Sequence, residues 1–189
     1  FGKAIYGITA LQVKLDPANA ERYIIKGLAN FAKVVESFVN AANSTLAAHP
    51  NDAKASQAVF DTVKGLLGTT QKFINLARDN NVLNLAVFNQ ALAVYNQIAN
   101  INYANMTQDY VVKTYDAVVK SFTEVSTETI RAIASSDKLT VFDKVSQITA
   151  VAAKSIDFVI NKMDQAVTRT NADSVRAVQI YNETQATRF

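Results

Sequence analysis

Cysteine and tryptophan are absent from this 189-residue chain, and it contains only two prolines, five glycines and one histidine. Without cysteine, a disulfide framework, a thiolate nucleophile and a cysteine-ligated metal are excluded. Residues that interrupt regular structure are rare, and no Asn-Gly or Asp-Gly turn joins alternating apolar runs, so a β-sheet is not expected. No run of about 18 apolar residues occurs, so no segment is expected to span a bilayer.

Charge is also sparse and evenly scattered. The 19 basic residues exceed the 16 acidic ones by a formal net charge of +3. Because they form no stripe or cluster, nucleic acid is not an expected partner. Between Asn80 and Gln108 no side chain carries a formal charge. Surface helices usually have charges on their outer face, so this segment is expected to be central or covered by another subunit.

Apolar residues recur at steps of three and four, which predicts amphipathic helices. The first apolar seam runs from Ile24 to Leu46, after the Asp16-Pro17 start signal and before the turn at His49-Pro50. Further apolar seams cover residues 59–77, 85–95, 111–133 and 141–163. The last of them includes Val141 and Val145. A short sixth helix is predicted from the capping box at 170–173.

Several short sequences occur twice in the same order. Residues 34–38 (VVESF) recur about 84 residues later as residues 118–122 (VVKSF), and residues 58–63 match 140–145. This spacing predicts an internal duplication, with repeats covering approximately 17–101 and 105–187. We therefore expect residues 1–189 to form a single all-α domain, an elongated antiparallel bundle of about six helices in two similar three-helix halves.

Phenylalanines share the seams with the aliphatic residues. Ordinary core packing is one interpretation of this pattern. The other is an apolar cavity, because bundle interiors are favoured places for small hydrophobic ligands. The candidate ligand-binding residues are therefore Phe31, Phe38, Phe60, Phe73, Phe122, Phe142 and Phe158.

Residues suited to catalysis or metal binding are few. His49 lies in a turn without sequence-fixed partners, and one histidine cannot supply the two Glu-x-x-His motifs of a di-iron bundle. Glu124 and Glu128 share one helix face, which we interpret as solvated. Among the aspartates, only Asp143 and Asp157 are not explained by a helix cap or a solvated face. An enzyme would be favoured if both proved buried and paired. No catalytic residue, metal or cofactor is assigned, and a non-enzymatic protein is expected.

Three triplets match the acceptor pattern for N-linked sugar, at Asn43, Asn105 and Asn182. Asn105 has a second interpretation, as the cap of the fourth helix. The first residue, Phe1, is not an initiator methionine, so the chain is either a processed product or a piece cut from a longer one. Together these features favour a secreted or extracellular location over a cytoplasmic one.

Two functional hypotheses remain, and the sequence names no reaction or substrate for either. The first is a binding protein for an apolar, lipid-like ligand or a hydrophobic surface, acting through the apolar faces of its helices. The second is a structural protein that forms a homo-oligomer, with the uncharged third helix packed against a copy of itself.

Overall fold

The computed structural model describes residues 1–168 and Glu183. In these residues all regular structure is helical, which confirms the all-α bundle. Six α-helices longer than one turn are present there: α1 (Gly2–Leu15), α2 (Ala20–Ala48), α3 (Ala53–Asp79), α4 (Leu85–Ile98), α5 (Gln108–Ala134) and α6 (Val141–Asp157). After α6 the chain continues through a π-helical segment, Phe158–Asp164, and a last α-helical turn, Gln165–Thr168.

The ends of several helices are fixed by side chains that the sequence places there. Asp52 accepts a hydrogen bond from Ala55 N at the start of α3, and Asn84 accepts one from Val87 N at the start of α4. Thr140 and Asp143 form a reciprocal capping box at the start of α6. These caps satisfy backbone N–H groups that have no partner within the helix.

Helix α1 was not foreseen, because the sequence pattern placed the first helix after Asp16. Asp16 was predicted to cap the first helix, but its side chain accepts no hydrogen bond from a backbone N–H there. Its carboxylate accepts hydrogen bonds from Asn19 Nδ2 at 2.9 Å and from the Tyr23 hydroxyl at 2.6 Å. The predicted sixth helix at 170–173 lies outside the described residues. The internal duplication therefore stays a prediction.

Helix α4 occupies the centre of the bundle. It packs against α2, α3, α5 and α6, whereas α1 packs on α2 and α3. A central position explains why α4 needs no charged outer face. Of the two alternatives for the uncharged segment, a central position or cover by another subunit, the first is confirmed. Six of its side chains are fully buried: Val87, Phe88, Ala91, Val94, Tyr95 and Ile98.

Candidate binding surfaces

An aromatic cluster around Phe122 lies in the core where α4, α5 and the π-helical segment meet. Its ring centroid lies 4.5 Å from that of Phe158, 5.0 Å from Tyr95 and 6.0 Å from Phe88. All four side chains are buried. Edge and tilted contacts at these distances are the favoured geometries for aromatic pairs, so the rings stabilise one another in the core.

The seven candidate phenylalanines occupy three different environments. Phe31, Phe73, Phe122 and Phe158 are buried in the core, and Phe31 and Phe73 contact each other with a centroid distance of 5.8 Å. Phe38 and Phe60 are half-buried. Phe142 is 80% exposed. The structure does not bring the seven together in one pocket, and their contact with a ligand stays a prediction.

One face of α6 is apolar and exposed. The sequence pattern predicted Val141 and Val145 in the core seam, and this is wrong: they are 79% and 60% exposed. The helix faces the bundle with a different side, where Val151 and Ser155 are buried. We call the outward row of apolar residues, with Thr149 among them and Ile160 from the π-helical segment at its end, the α6 stripe: Val141, Phe142, Val145, Thr149, Ala153, Ile156 and Ile160. Ser146, Lys154 and Asp157 are exposed on the same helix outside this row.

A second exposed apolar face lies on α1. Its opposite side is inserted between α2 and α3, with Thr9 and Val13 buried and the Tyr6 ring 5.3 Å from the Phe73 ring. We call the outward residues the α1 stripe: Ala4, Ile8, Leu11 and Leu15. These residues are spaced three and four apart in the sequence. Apolar residues also lie on the opposite side of the helix, so the segment shows no one-sided pattern.

The acidic and histidine candidates have structural explanations. His49 is exposed and ends α2, as expected. Glu128 is not fully solvated: it accepts a hydrogen bond from Gln71 Nε2 at 3.1 Å and lies 3.8 Å from Arg78. Asp143 belongs to the α6 cap, and exposed Asp157 accepts a hydrogen bond from Asn161. The condition that favoured an enzyme, a buried pair of Asp143 and Asp157, is not met.

Two buried tyrosines have strongly shifted acidity. Burial raises the pKa of Tyr95, and the hydrogen bond to Ser121 at 2.7 Å partly opposes that shift. Burial also raises the pKa of Tyr103, whose hydroxyl donates to the Ile98 carbonyl at 2.9 Å. Both hydroxyls therefore stay neutral and serve as hydrogen-bonding groups in the core.

A polar depression of about 440 Å³ lies where the α3–α4 and α5–α6 loops meet. Its lining mixes both signs of charge. Asn84 donates to Glu21 at 2.7 Å, and Lys138 Nζ donates to the Asn81 carbonyl at 3.2 Å. The Lys138 hydrogen bond links the two loops, and the Asn84 hydrogen bond joins the α3–α4 loop to Glu21 on α2.

The asparagines of the three sugar-acceptor triplets differ in their surroundings. Asn43 holds the loop after α4: its Nδ2 donates to the Asn100 carbonyl at 3.0 Å, and its Oδ1 accepts from Asn102 N at 2.7 Å. Asn105 lies in the 3₁₀ turn before α5, and the cap of that helix is Thr107, not Asn105. Asn182 lies outside the described residues. Glycosylation of all three stays a prediction.

Comparison with known proteins gave no match: no family model fits the chain, and neither a curated protein nor a solved structure is significantly similar to it. Within residues 1–168, none of the helices combines the length and the apolar character that crossing a membrane requires. In the same part of the chain, no group of three or more His, Asp or Glu side chains could hold a metal ion.

Proposed function

We propose that this protein is a non-enzymatic binding protein for hydrophobic surfaces or lipid-like molecules, and that the α6 stripe is its main contact face. The single observation that carries the proposal is the exposure of this stripe. It includes Phe142 and Ile156 and extends along the whole helix. No member of the stripe is charged. Contiguous apolar patches of this kind mark interaction surfaces in soluble proteins.

Contact with a surface has more support than enclosure of a ligand. The buried candidates Phe122 and Phe158 already contact each other at 4.5 Å, and Phe31 and Phe73 contact each other in the first half. Interiors packed in this way leave few voids larger than a water molecule. In contrast, a helix with one exposed apolar face can lie on an oil or lipid interface, with affinity that grows with the apolar area buried.

Helix α1 gives the surface a second element. Its stripe contains Ile8, Leu11 and Leu15, and its only charged side chains are Lys3 and Lys14. A short helix with an apolar outer face and basic residues beside it is typical of segments that lie in a membrane interface. We therefore propose that both stripes contribute to attachment.

An extracellular location is part of this proposal. It is supported by the acceptor triplets at Asn43 and Asn105, which lie near the surface in the described residues, and by the triplet at Asn182. The test is the mass of the natural protein before and after treatment with an N-glycosidase. A loss of mass supports export, whereas an unchanged mass removes this support.

Flotation tests the binding function directly. The wild-type chain is mixed with triolein droplets and centrifuged, and we expect it to float with them. Phe142→Ser combined with Ile156→Ser should remain in the aqueous fraction, and Phe142→Leu, which keeps an apolar side chain, should float like the wild type. Absence of the wild type from the droplet layer would refute the proposal.

A further inference from the structure

The net charge of the molecule is concentrated in the part of the chain that carries the α1 stripe. Residues 1–34, which form α1 and the first half of α2, contain five basic and two acidic side chains. The whole chain has 19 basic and 16 acidic residues, so the rest of it is balanced, with 14 of each sign. The entire formal surplus of +3 therefore lies in the segment that presents the α1 stripe.

Lysines lie along one edge of this stripe. Lys3 and Lys14 are exposed and 11 residues apart, which is close to three helical turns, so they project from the same side of α1. At 1.5 Å per residue they lie about 17 Å apart along the helix axis. Exposed Lys72 of α3 lies on the same side of the stripe, because its Nζ is 5.8 Å from the centroid of the Tyr6 ring. Three ammonium groups therefore border the stripe on the side that faces α3.

Two further lysines lie on α2, the other neighbour of α1. Lys26 and Lys33 are exposed and seven residues apart, so they share one side of α2. Lys26 is next to Gly27, at which α2 contacts Thr9 of α1. The exposed acidic residue Glu36 follows Gly27 by nine residues, which places it on the opposite side of α2. The basic character of the surface around α1 is therefore not cancelled there.

The two acidic side chains of residues 1–34 are hydrogen-bonded to neutral groups. Asp16 accepts hydrogen bonds from Asn19 Nδ2 and the Tyr23 hydroxyl, and Glu21 accepts one from Asn84 Nδ2 at 2.7 Å. None of the five lysines around α1 forms an ion pair with a carboxylate of the described residues. Their ammonium groups are therefore available to an anionic partner.

The α6 stripe has no such surplus of charge. Residues 141–168 contain three basic and three acidic side chains: Asp143, Lys144, Lys154, Asp157, Lys162 and Asp164. Two of the lysines are bound within the chain, since Lys144 Nζ donates to the Ala134 carbonyl at 3.1 Å and Lys154 Nζ donates to Asn89 Oδ1 at 2.9 Å. Contact of α6 with an apolar surface is therefore not expected to depend on the charge of the lipid.

We propose that the α1 stripe, with the five lysines around it, binds the surface of an anionic phospholipid layer. The lysines attract the negative headgroups, while Ile8, Leu11 and Leu15 enter the apolar part of the interface. A soluble polyanion would contact only the lysines and leave these apolar side chains in water, so a lipid layer fits this face better. The inference rests on the proposed function and adds to it the class of lipid and the helix that selects it.

Vesicle flotation at low ionic strength tests this selectivity. One set of vesicles is phosphatidylcholine, and the other contains equal parts of phosphatidylcholine and phosphatidylserine. Lys3→Gln combined with Lys14→Gln should weaken binding to the anionic vesicles about 25-fold, because each lysine near such a surface contributes about fivefold. The wild type should therefore prefer the anionic vesicles by at least about 25-fold. Added sodium chloride should reduce this preference, because it screens the lysines.

The matched control is Lys54→Gln combined with Lys162→Gln, which removes the same number of charges from exposed positions. Lys54 lies 18 residues before Lys72 on α3, about 27 Å away along the helix, and Lys162 belongs to the π-helical segment. At these distances salt screens the charges from a surface bound at α1, so binding should stay within about twofold of the wild type. Circular dichroism verifies that both double variants are folded.

Leu11→Ser tests the apolar part of the face and should weaken binding to the anionic vesicles about tenfold. Unchanged binding of this variant would mean that the lysines act alone, which would overturn the inference. Equal affinity of the wild type for the two kinds of vesicle, or equal losses in the two double variants, would overturn it as well. In each of these cases flotation with triolein would still support surface binding, whereas a wild type absent from both vesicles and triolein would refute the proposed function itself.

Discussion

The Thr9 side chain fills the space beside Gly27 where any larger residue would place its Cβ. A Cβ built on Gly27 would overlap Thr9 Oγ1 and lie 3.0 Å from Phe73 Cε1. The Thr9 hydroxyl donates to the Ile5 carbonyl at 2.9 Å, so it is fixed within α1. This close approach of α1 to α2 holds the inner face of α1 against the bundle and leaves the α1 stripe outside.

Replacement of Gly27 by alanine is therefore expected to destabilise the protein. Overpacking at this contact should lower the free energy of unfolding by about 1–3 kcal/mol. The matched control is Gly65→Ala, because a Cβ at Gly65 meets nothing within 4 Å. There, relief of the helix penalty of glycine should raise stability by about 1 kcal/mol. Urea unfolding measures both, and equal effects of the two substitutions would contradict the close contact.

Phe122 and Phe142 should differ sharply in their contribution to stability. Phe122→Ala removes the centre of the aromatic cluster and should cost about 3–5 kcal/mol. Phe142→Ala removes an exposed side chain and should change the free energy of unfolding by less than about 0.5 kcal/mol. Thermal or urea unfolding of the monomer distinguishes them. A large loss for Phe142→Ala would mean that the α6 stripe is covered within the chain.

Asn43 is expected to stabilise the loop after α4. Asn43→Ala removes its two hydrogen bonds to the backbone of Asn100 and Asn102, so stability should fall by about 1–2 kcal/mol. Asn40→Ala is the control, since Asn40 is exposed on the same helix one turn earlier. Hydrogen exchange of the Asn102 amide should accelerate in the first variant only. Equal exchange rates in both variants would refute this role for Asn43.

Stability is expected to fall at alkaline pH because of Tyr95 and Tyr103. Their folded-state pKa values are raised by burial, whereas tyrosine in the unfolded chain titrates near pH 10. The folded state therefore keeps protons that the unfolded state releases, so this stability is complete below about pH 10 and decreases as pH rises. Tyr95→Phe should make the alkaline slope of unfolding free energy shallower. An unchanged slope would show that Tyr95 does not contribute.

Sequence periodicity predicted the parts of the fold whose packing is set locally. The seams of α2, α3 and α5, the turn at His49-Pro50 and the central place of the uncharged α4 are all confirmed. Helix α1 was not predicted, because its apolar residues lie on both sides: Ile5 and Val13 point inward, and Ile8 and Leu11 point outward. The sequence therefore shows no one-sided pattern there.

Burial could not be predicted where it depends on neighbouring helices. Val63 and Val145 occupy matched positions in similar sequences, yet the first is buried and the second exposed. Helix α3 has α1, α2, α4 and α5 around it, whereas α6 has α4 and α5 among the described helices. Local sequence defines an apolar face, but only the tertiary arrangement decides whether that face is covered.

The environment of residue 142 tests the central claim most directly. Because the chain contains no tryptophan, Phe142→Trp introduces a single indole on the α6 stripe, and Thr62→Trp places one on the exposed side of α3 as control. The measurement is tryptophan emission with and without triolein droplets, at a concentration where the protein is monomeric. We predict a blue shift and protection from iodide quenching at position 142 and neither change at position 62. Protein that binds the droplets with unchanged emission at position 142 would contradict the assignment of the α6 stripe as the binding face.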